Sequence, residues 1–287
     1  MDIRMGLAAH DDLPQLRALW QQAFGDSESY MNLYFNHRFE PSETYLLREN
    51  GDIVSMMTAM RVSLWTDKGE YNGRYIYAVA TKKNCRGKGY SRMLDRFMAS
   101  DLKKMGVCFT CLVPAEGSLH KFYAAQGYAE SFPRYMGTLR RSLRRSETEQ
   151  EADVRHCPFP LFASMRAQFL KQIAAEKAAL YHPENELSYI YEELHACGGL
   201  TVTFMEGDIL RYAAVALPED EDMLVLLETD GDPLSAADIL MHRLDKQIAR
   251  IYHPFPFPGG KCVPYGMGRS LDSAFSLPPG YMALMLD

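Results

Sequence analysis

The segment Val79-Ala-Thr-Lys-Lys-Asn-Cys-Arg-Gly-Lys-Gly-Tyr-Ser91 has the residue types of an anion site. Gly87 and Gly89 let a backbone turn several N–H groups toward one point. A helix beginning just after them would direct its positive dipole end to the same place. Lys82, Lys83, Arg86, Lys88, Arg92 and Arg96 stand against Asp95 alone, a net of +5 over residues 82–96. That chemistry suits a small polyanion such as a pyrophosphate. Two familiar phosphate patterns do not fit. The P-loop fails because Gly89 follows Gly87-Lys88 and Lys82 stands where the first glycine belongs. The dinucleotide pattern fails because Arg92 takes its last glycine position. A surface turn beside a solvated basic helix face fits the same letters.

The elements that must carry this loop follow from hydrophobic spacing. Asp11 or Asp12 caps a helix with Leu13, Leu16, Leu19, Trp20, Ala23 and Phe24 at helical spacing, and Pro14 suits its first turn. A short helix at 27–35 follows. Asn50-Gly51 between two apolar runs signals a hairpin, and Asp67-Lys68-Gly69 a second one, leading into a strand that ends at Ala80. The helix after the loop sets Tyr90, Met93, Leu94, Phe97, Met98, Leu102 and Met105 on one face and stops at Gly106. A strand at 107–113, a helix at 118–126 and a strand at 128–139 complete this half. After a basic cluster (Arg140, Arg141, Arg144, Arg145) and a polar stretch, the order partly repeats. Helices at about 160–179 and 184–196 precede strands at 200–204, 209–217 and 223–228, then a helix at 236–250. The recurring order reads as duplication of one α/β fold.

The chain of 287 residues is 47% hydrophobic and 24% charged, which excludes disorder. Its net charge of −6 argues against a protein that coats nucleic acid with basic surface. The charge is uneven, about +4 in residues 1–150 and −10 in the remainder. The N-terminus has no signal-peptide pattern and no run is long enough to cross a bilayer, so a cytoplasmic protein without a membrane partner is expected. Six cysteines show no disulfide rhythm. Cys108 and Cys111 fall in an apolar strand that would aim them at opposite faces, so they read as packing residues, and no metal is expected. Pro254-Phe-Pro-Phe-Pro258 leaves a homo-oligomer interface and a rigid loop both open.

Arg86-x-x-Gly89-x-Ser91 after Val79-Ala80-Thr81 resembles the coenzyme-A pyrophosphate motif of the GNAT N-acetyltransferase superfamily, with Ser91 where the family has glycine or alanine. Phe122-Tyr123-Ala-Ala-Gln-Gly127-Tyr128 resembles the same family's fourth-helix signature. The resemblance covers about residues 1–145. The second half lacks the loop: its corresponding strand runs into Glu228-Thr-Asp-Gly-Asp-Pro233, whose carboxylates would repel a pyrophosphate. An intact module followed by a degenerate one is similar to the enhanced-intracellular-survival acetyltransferases without their third domain. The resemblance implies an α/β (α+β) fold of two tandem modules, each a mixed, mostly antiparallel sheet flanked by helices. The domains would be 1–145, catalytic, and 159–287, degenerate and completing the acceptor site, with a linker at 146–158.

For function, the resemblance implies acetyl transfer from acetyl-CoA, a co-substrate, to a primary amine. Val79, Ala80, Thr81, Arg86, Gly87, Lys88, Gly89, Tyr90 and Ser91 would bind the coenzyme, with backbone N–H groups of 79–81 facing the oxyanion. Tyr123 would be the acid for the departing thiolate, which a phenol of pKa about 10 suits. Base candidates are Glu43, Glu116 and His120, and by analogy the terminus at Asp287. The acceptor would be a small-molecule or peptide amine, and the acidic second half favours a cationic one. A non-catalytic acyl-CoA sensor or scaffold would keep the loop without needing Tyr123.

Overall fold

A computed structural model of the chain describes residues 2–141, 153–219 and 222–285. Its first elements are β1 (Ile3–Leu7), α1 (Leu13–Phe24), α2 (Glu28–His37), β2 (Thr44–Glu49), β3 (Asp52–Thr66) and β4 (Gly69–Thr81). Then come α3 (Tyr90–Lys104), β5 (Phe109–Leu112), α4 (Leu119–Ala124), β6 (Ala129–Arg140), β7 (Arg155–His156), α5 (Phe159–Glu176) and β8 (Ala178–Tyr181). The remainder is α6 (Glu184–Ala196), β9 (Leu200–Glu206), β10 (Ile209–Ala216), β11 (Met223–Thr229), α7 (Pro233–Arg243), β12 (Ile248–His253), β13 (Lys261–Ser270) and β14 (Gly280–Tyr281).

Packing divides the chain into two units: Met1–Leu64, Glu70–Ala129 and Met267–Leu277, and Trp65–Gly69, Glu130–Gly266 and Pro278–Asp287. This differs from a break at 146–158. The chain enters the second unit at Glu130, residues 146–152 of the expected linker lie outside the described residues, and Met267–Leu277 belong to the first unit. The physical reason is a strand pairing: β13 lies antiparallel to β5, with Met267 opposite Leu112 and Ser270 opposite Phe109.

The first unit is a mixed sheet in the order β1-β2-β3-β4-β5-β13. The β2–β3 turn has Asn50 at φ 53° and Gly51 at φ 94°, the left-handed pair that a two-residue hairpin demands. One parallel pairing interrupts the antiparallel pattern, β4 with β5, over Gly73–Tyr75 against Phe109–Cys111. Helix α3 buries Tyr90, Leu94, Met98 and Leu102 against Tyr45, Leu47, Val54, Met57 and Ile76. Phe97 packs partly on the same cluster, whereas Met93 and Met105, expected on this face, are exposed.

The second unit runs β13-β6-β12-β11-β10-β9-β7; β6–β12, β10–β11, β9–β10 and β7–β9 are antiparallel and β11–β12 is parallel. Its core holds Phe204, Leu224, Leu226, Ala236, Leu240 and Ile251.

Four readings change. The chain opens with strand β1 rather than a helix; its partner is β2, and only the pairing reveals it. Strand β8 occupies residues expected to extend a helix, because Lys177 turns to extended backbone at φ −154°, ψ 162° and ends α5. Helix α7 stops at Arg243, and residues to 250 instead begin β12. Gly266-Met-Gly-Arg269, a lone Gly-x-Gly whose letters suggest a turn, lies in β13. A Cβ at Gly266 would sit 2.6 Å from Met282 Sδ, so this glycine permits close packing rather than a bend. The six cysteines are free, and Cys111 is buried.

Candidate active site

The glycine turn between β4 and α3 takes left-handed backbone at both Gly87 (φ +81°) and Gly89 (φ +80°), and a Cβ built on either would meet no atom within 4 Å. Their job is therefore conformational, and the space in front of them is open. Gly89 is the N-cap of α3, whose first internal bond runs from Met93 N to Gly89 O at 3.0 Å. The N–H groups of the turn before it have no acceptor inside the helix, the donor set that suits a phosphate. Arg86 folds back so that its Nε donates to Thr81 O at 3.2 Å, closing the loop on the end of β4. Ser91 is half-buried, which a small side chain at that place permits.

The cations of the loop are not equivalent. The Lys88 ammonium lies 3.4 Å from Glu49, and the Tyr90 hydroxyl donates to the same carboxylate at 2.6 Å. The Tyr90 bond first, and Lys88 after it, hold Glu49 below the usual carboxylate range against a cost of desolvation. Arg86, Lys83, Arg92 and Arg96 are exposed around the loop.

At the end of β4 the backbone is special. Ala78, just before Val79, has φ +51°, a left-handed conformation that costs a non-glycine residue roughly 1–2 kcal/mol. Ser55 Oγ donates to Ala80 O at 2.9 Å and lies 2.9 Å from Thr81 Oγ1, which pins the strand again after that turn. Pairing of β4 with β5 ends at Tyr75 opposite Cys111, while β4 continues to Thr81. A crevice beyond the carboxyl ends of parallel strands is where open α/β sheets place ligands. Neither Ala78 nor Ser55 carries a sequence signal.

Tyr123 is the penultimate residue of α4 and packs on the cluster that includes Tyr90 and Tyr128 and that Val79 also flanks. Burial, then the nearby Asp95 carboxylate, pushes its phenol up to about 12. Asp95 is 5% exposed and forms a bidentate pair with Arg269, at 2.8 and 3.1 Å. Sequence reading counts Asp95 only as a stray acid among cations. Its place at i−3 and i−7 from Met98 and Leu102, on the buried face, is the signal that it needs an internal partner.

The base candidates fare differently. Glu43 is buried between Arg38 (2.7 Å) and Arg61 (2.8 Å), so it is part of a structural ion pair rather than a free carboxylate. Glu116 is exposed and accepts from Ser118 Oγ at 3.2 Å, and His120 is half-buried on α4. Asp287 lies outside the described residues. In the second unit, Glu228 is fully buried against Arg166 (2.7 Å) and also accepts from Tyr212 and Tyr281. Asp230 accepts from Tyr212 N at 2.7 Å, and Asp232 caps α7 by accepting from Ser235 N at 2.8 Å. These carboxylates have internal structural work; none offers donors for a phosphate. Among the described residues no cluster of His, Cys, Asp and Glu suited to a metal ion is found.

A family model described as an acetyltransferase (GNAT) domain matches residues 4–130. No curated protein matches the chain. Several solved structures share its fold. A conserved protein of unknown function from Enterococcus faecalis V583, called a probable N-acyltransferase, superposes with TM-score 0.74 at 16% identity, over 94% of this chain and 73% of that one. A GCN5-related N-acetyltransferase from Kribbella flavida gives TM-score 0.73 at 15% identity, over 95% and 72%. Eis1 from Mycobacterium abscessus gives 0.67 at 11% identity, over 95% and 74%.

Proposed function

We propose, from the match of residues 4–130 to the acetyltransferase (GNAT) domain model and from the site's geometry, that the chain moves the acetyl group of acetyl-CoA to a primary amine by direct attack. The observation that carries the reading is the pairing of two features in one unit. An open Gly87–Gly89 turn at a helix N-terminus and a half-buried tyrosine, Tyr123, pack on the same core cluster through Tyr90.

In this reading the loop and the first turn of α3 hold the pyrophosphate, and Arg86, Lys88 and their neighbours add charge. The amine nitrogen attacks the thioester carbonyl carbon, and the oxygen takes up negative charge. Backbone N–H groups near Val79–Thr81 stabilise it where the turn at Ala78 redirects the strand. The C–S bond then breaks, and the sulfur takes a proton from the Tyr123 hydroxyl. A phenol kept neutral by burial is a suitable donor to a thiolate. The acceptor's own proton leaves to solvent or to a carboxylate; Asp287 is the residue we assign, and its deletion should then lower kcat and shift its pH profile. The acidic second half, about −10 over residues 151–287, favours a cationic amine.

Thermal-shift measurement with acetyl-CoA tests the binding step. A ligand at about 100 times its Kd stabilises by about 2.7 kcal/mol. Gly89→Val, which places a branched side chain at φ +80°, should abolish the shift. Tyr123→Phe should keep the shift while lowering kcat by roughly 10²–10⁴. An acetyl-CoA shift with no turnover across spermidine, tobramycin and lysine peptides would instead favour a sensor.

A further inference from the structure

Helix α4 has little holding it in place by itself. It spans only Leu119–Ala124, and none of its residues is fully buried. A helix that short has no stability of its own in water. Tyr123 sits near its end, so the position of that hydroxyl depends on what fixes the helix C-terminus. Tyr123 O accepts from both Gln126 N (2.9 Å) and Tyr128 N (3.2 Å), and Gly127 takes φ +89° to close this cap.

Arg269 grips that cap from outside. Its Nη1 donates to Gln126 O at 2.9 Å and its Nη2 to Tyr128 Oη at 3.3 Å. The guanidinium also lies over the Tyr128 ring, 4.4 Å from its centroid, and that ring meets the Tyr123 ring edge-on at 5.8 Å. The Arg269 Cδ lies 3.4 Å from where a Cβ on Gly127 would be, so the stem fits against the turn. Asp95, on the rigid helix α3, holds the guanidinium bidentately, 174 residues away in sequence. Tyr128 completes the ring of bonds by donating to Asp95 Oδ1 at 3.3 Å and accepting from Thr110 Oγ1 at 3.2 Å.

We infer that Arg269 is a positioning residue for acetyl transfer, acting through the cap of α4 to fix the Tyr123 hydroxyl in the site. The inference rests on the reading of Tyr123 as the acid. Arg269 touches neither thioester nor amine. It converts the rigidity of α3 and β13 into a fixed place for one phenol, where a catalytic group misplaced by about 1 Å costs roughly 10²-fold in rate. A lysine could meet Asp95 but not also span the Gln126 carbonyl and the Tyr128 ring, because it lacks the planar fork.

The test is a double-mutant cycle read as thiol release from acetyl-CoA, with water and with spermidine as acceptors. Arg269→Met alone leaves Asp95 buried and unpaired, so Asp95→Asn/Arg269→Met is made beside it to keep a folded protein. The expected result is a loss of about 10- to 100-fold in kcat for both variants, with KM for acetyl-CoA within about threefold. Arg269→Lys should recover only part of it. In a Tyr123→Phe background the same substitutions should cost less than about threefold, because the group they position is gone. Equal losses in both backgrounds would overturn the positioning role while leaving Tyr123 as the acid. A Tyr123→Phe enzyme with full kcat would remove the acid reading and the inference with it. A 3-fluorotyrosine at position 123 gives a readout independent of turnover. Its ¹⁹F resonance should move or split in Asp95→Asn/Arg269→Met, and an unchanged resonance would also overturn the inference.

Discussion

In the proposed transfer a single phenol, Tyr123, is the acid, and its surroundings make a prediction about pH. Burial first, and Asp95 second, raise the Tyr123 pKa from 10.0 to about 12. The acid must be protonated to act, so its activity is lost only as pH rises toward that value. An unperturbed tyrosine would begin to fail near 10. The kcat profile should therefore show no alkaline fall attributable to Tyr123 up to about pH 10. A fall centred below pH 9.5 in wild type, absent in a residual Tyr123→Phe activity, would contradict the assignment. The residues of this site were legible to unequal degrees. Gly87, Gly89 and Arg86 announce themselves because backbone conformation and charge are properties of local sequence. Ala78, Ser55, Glu49 and Arg269 do not, because their roles lie in a strained φ or in partners far along the chain.

At the scale of elements, the first unit depends on how β4 and β5 approach each other. Gly73 lies directly opposite Phe109, and a Cβ on Gly73 would overlap that ring. Gly73→Ala must therefore displace a fully buried phenylalanine at the edge of the parallel ladder that leads to the site. Overpacking of this kind costs about 1–3 kcal/mol, which a lower denaturant midpoint at unchanged m-value would report. An unchanged midpoint would mean the ladder yields easily. The elements that sequence missed share a cause. In β8, Ala178-Ala-Leu-Tyr181 consists largely of helix-favouring residues, and in β1, Ile3–Leu7 pairs with only β2. Local propensity points one way and tertiary pairing the other, and pairing wins. The long helices α3 and α5 were legible because many turns of apolar spacing agree.

For the whole molecule, neither sequence order nor net charge gives the organisation directly. The charge of −6 argues against a phosphate-coating surface, yet it conceals a +5 segment at residues 82–96. Sequence order suggests a catalytic module that is complete by residue 145, whereas its unit includes Met267–Leu277. A fragment of residues 1–145 therefore lacks the strand paired to β5 and the arginine paired to Asp95. Removing one partner of a buried ion pair alone costs about 3–5 kcal/mol, against a total domain stability of about 5–15 kcal/mol. The lost strand adds to that, so the fragment should unfold without a cooperative transition and show no acetyl-CoA thermal shift. Joining residues 1–130 to 267–277 through a Gly/Ser linker should restore a cooperative transition, because it returns the missing strand and the missing charge together. The same fusion carrying Arg269→Met should be restored less, by an amount that separates the strand's contribution from the ion pair's. A 1–145 fragment that melts cooperatively and binds acetyl-CoA as the full chain does would show that the returning strand is dispensable.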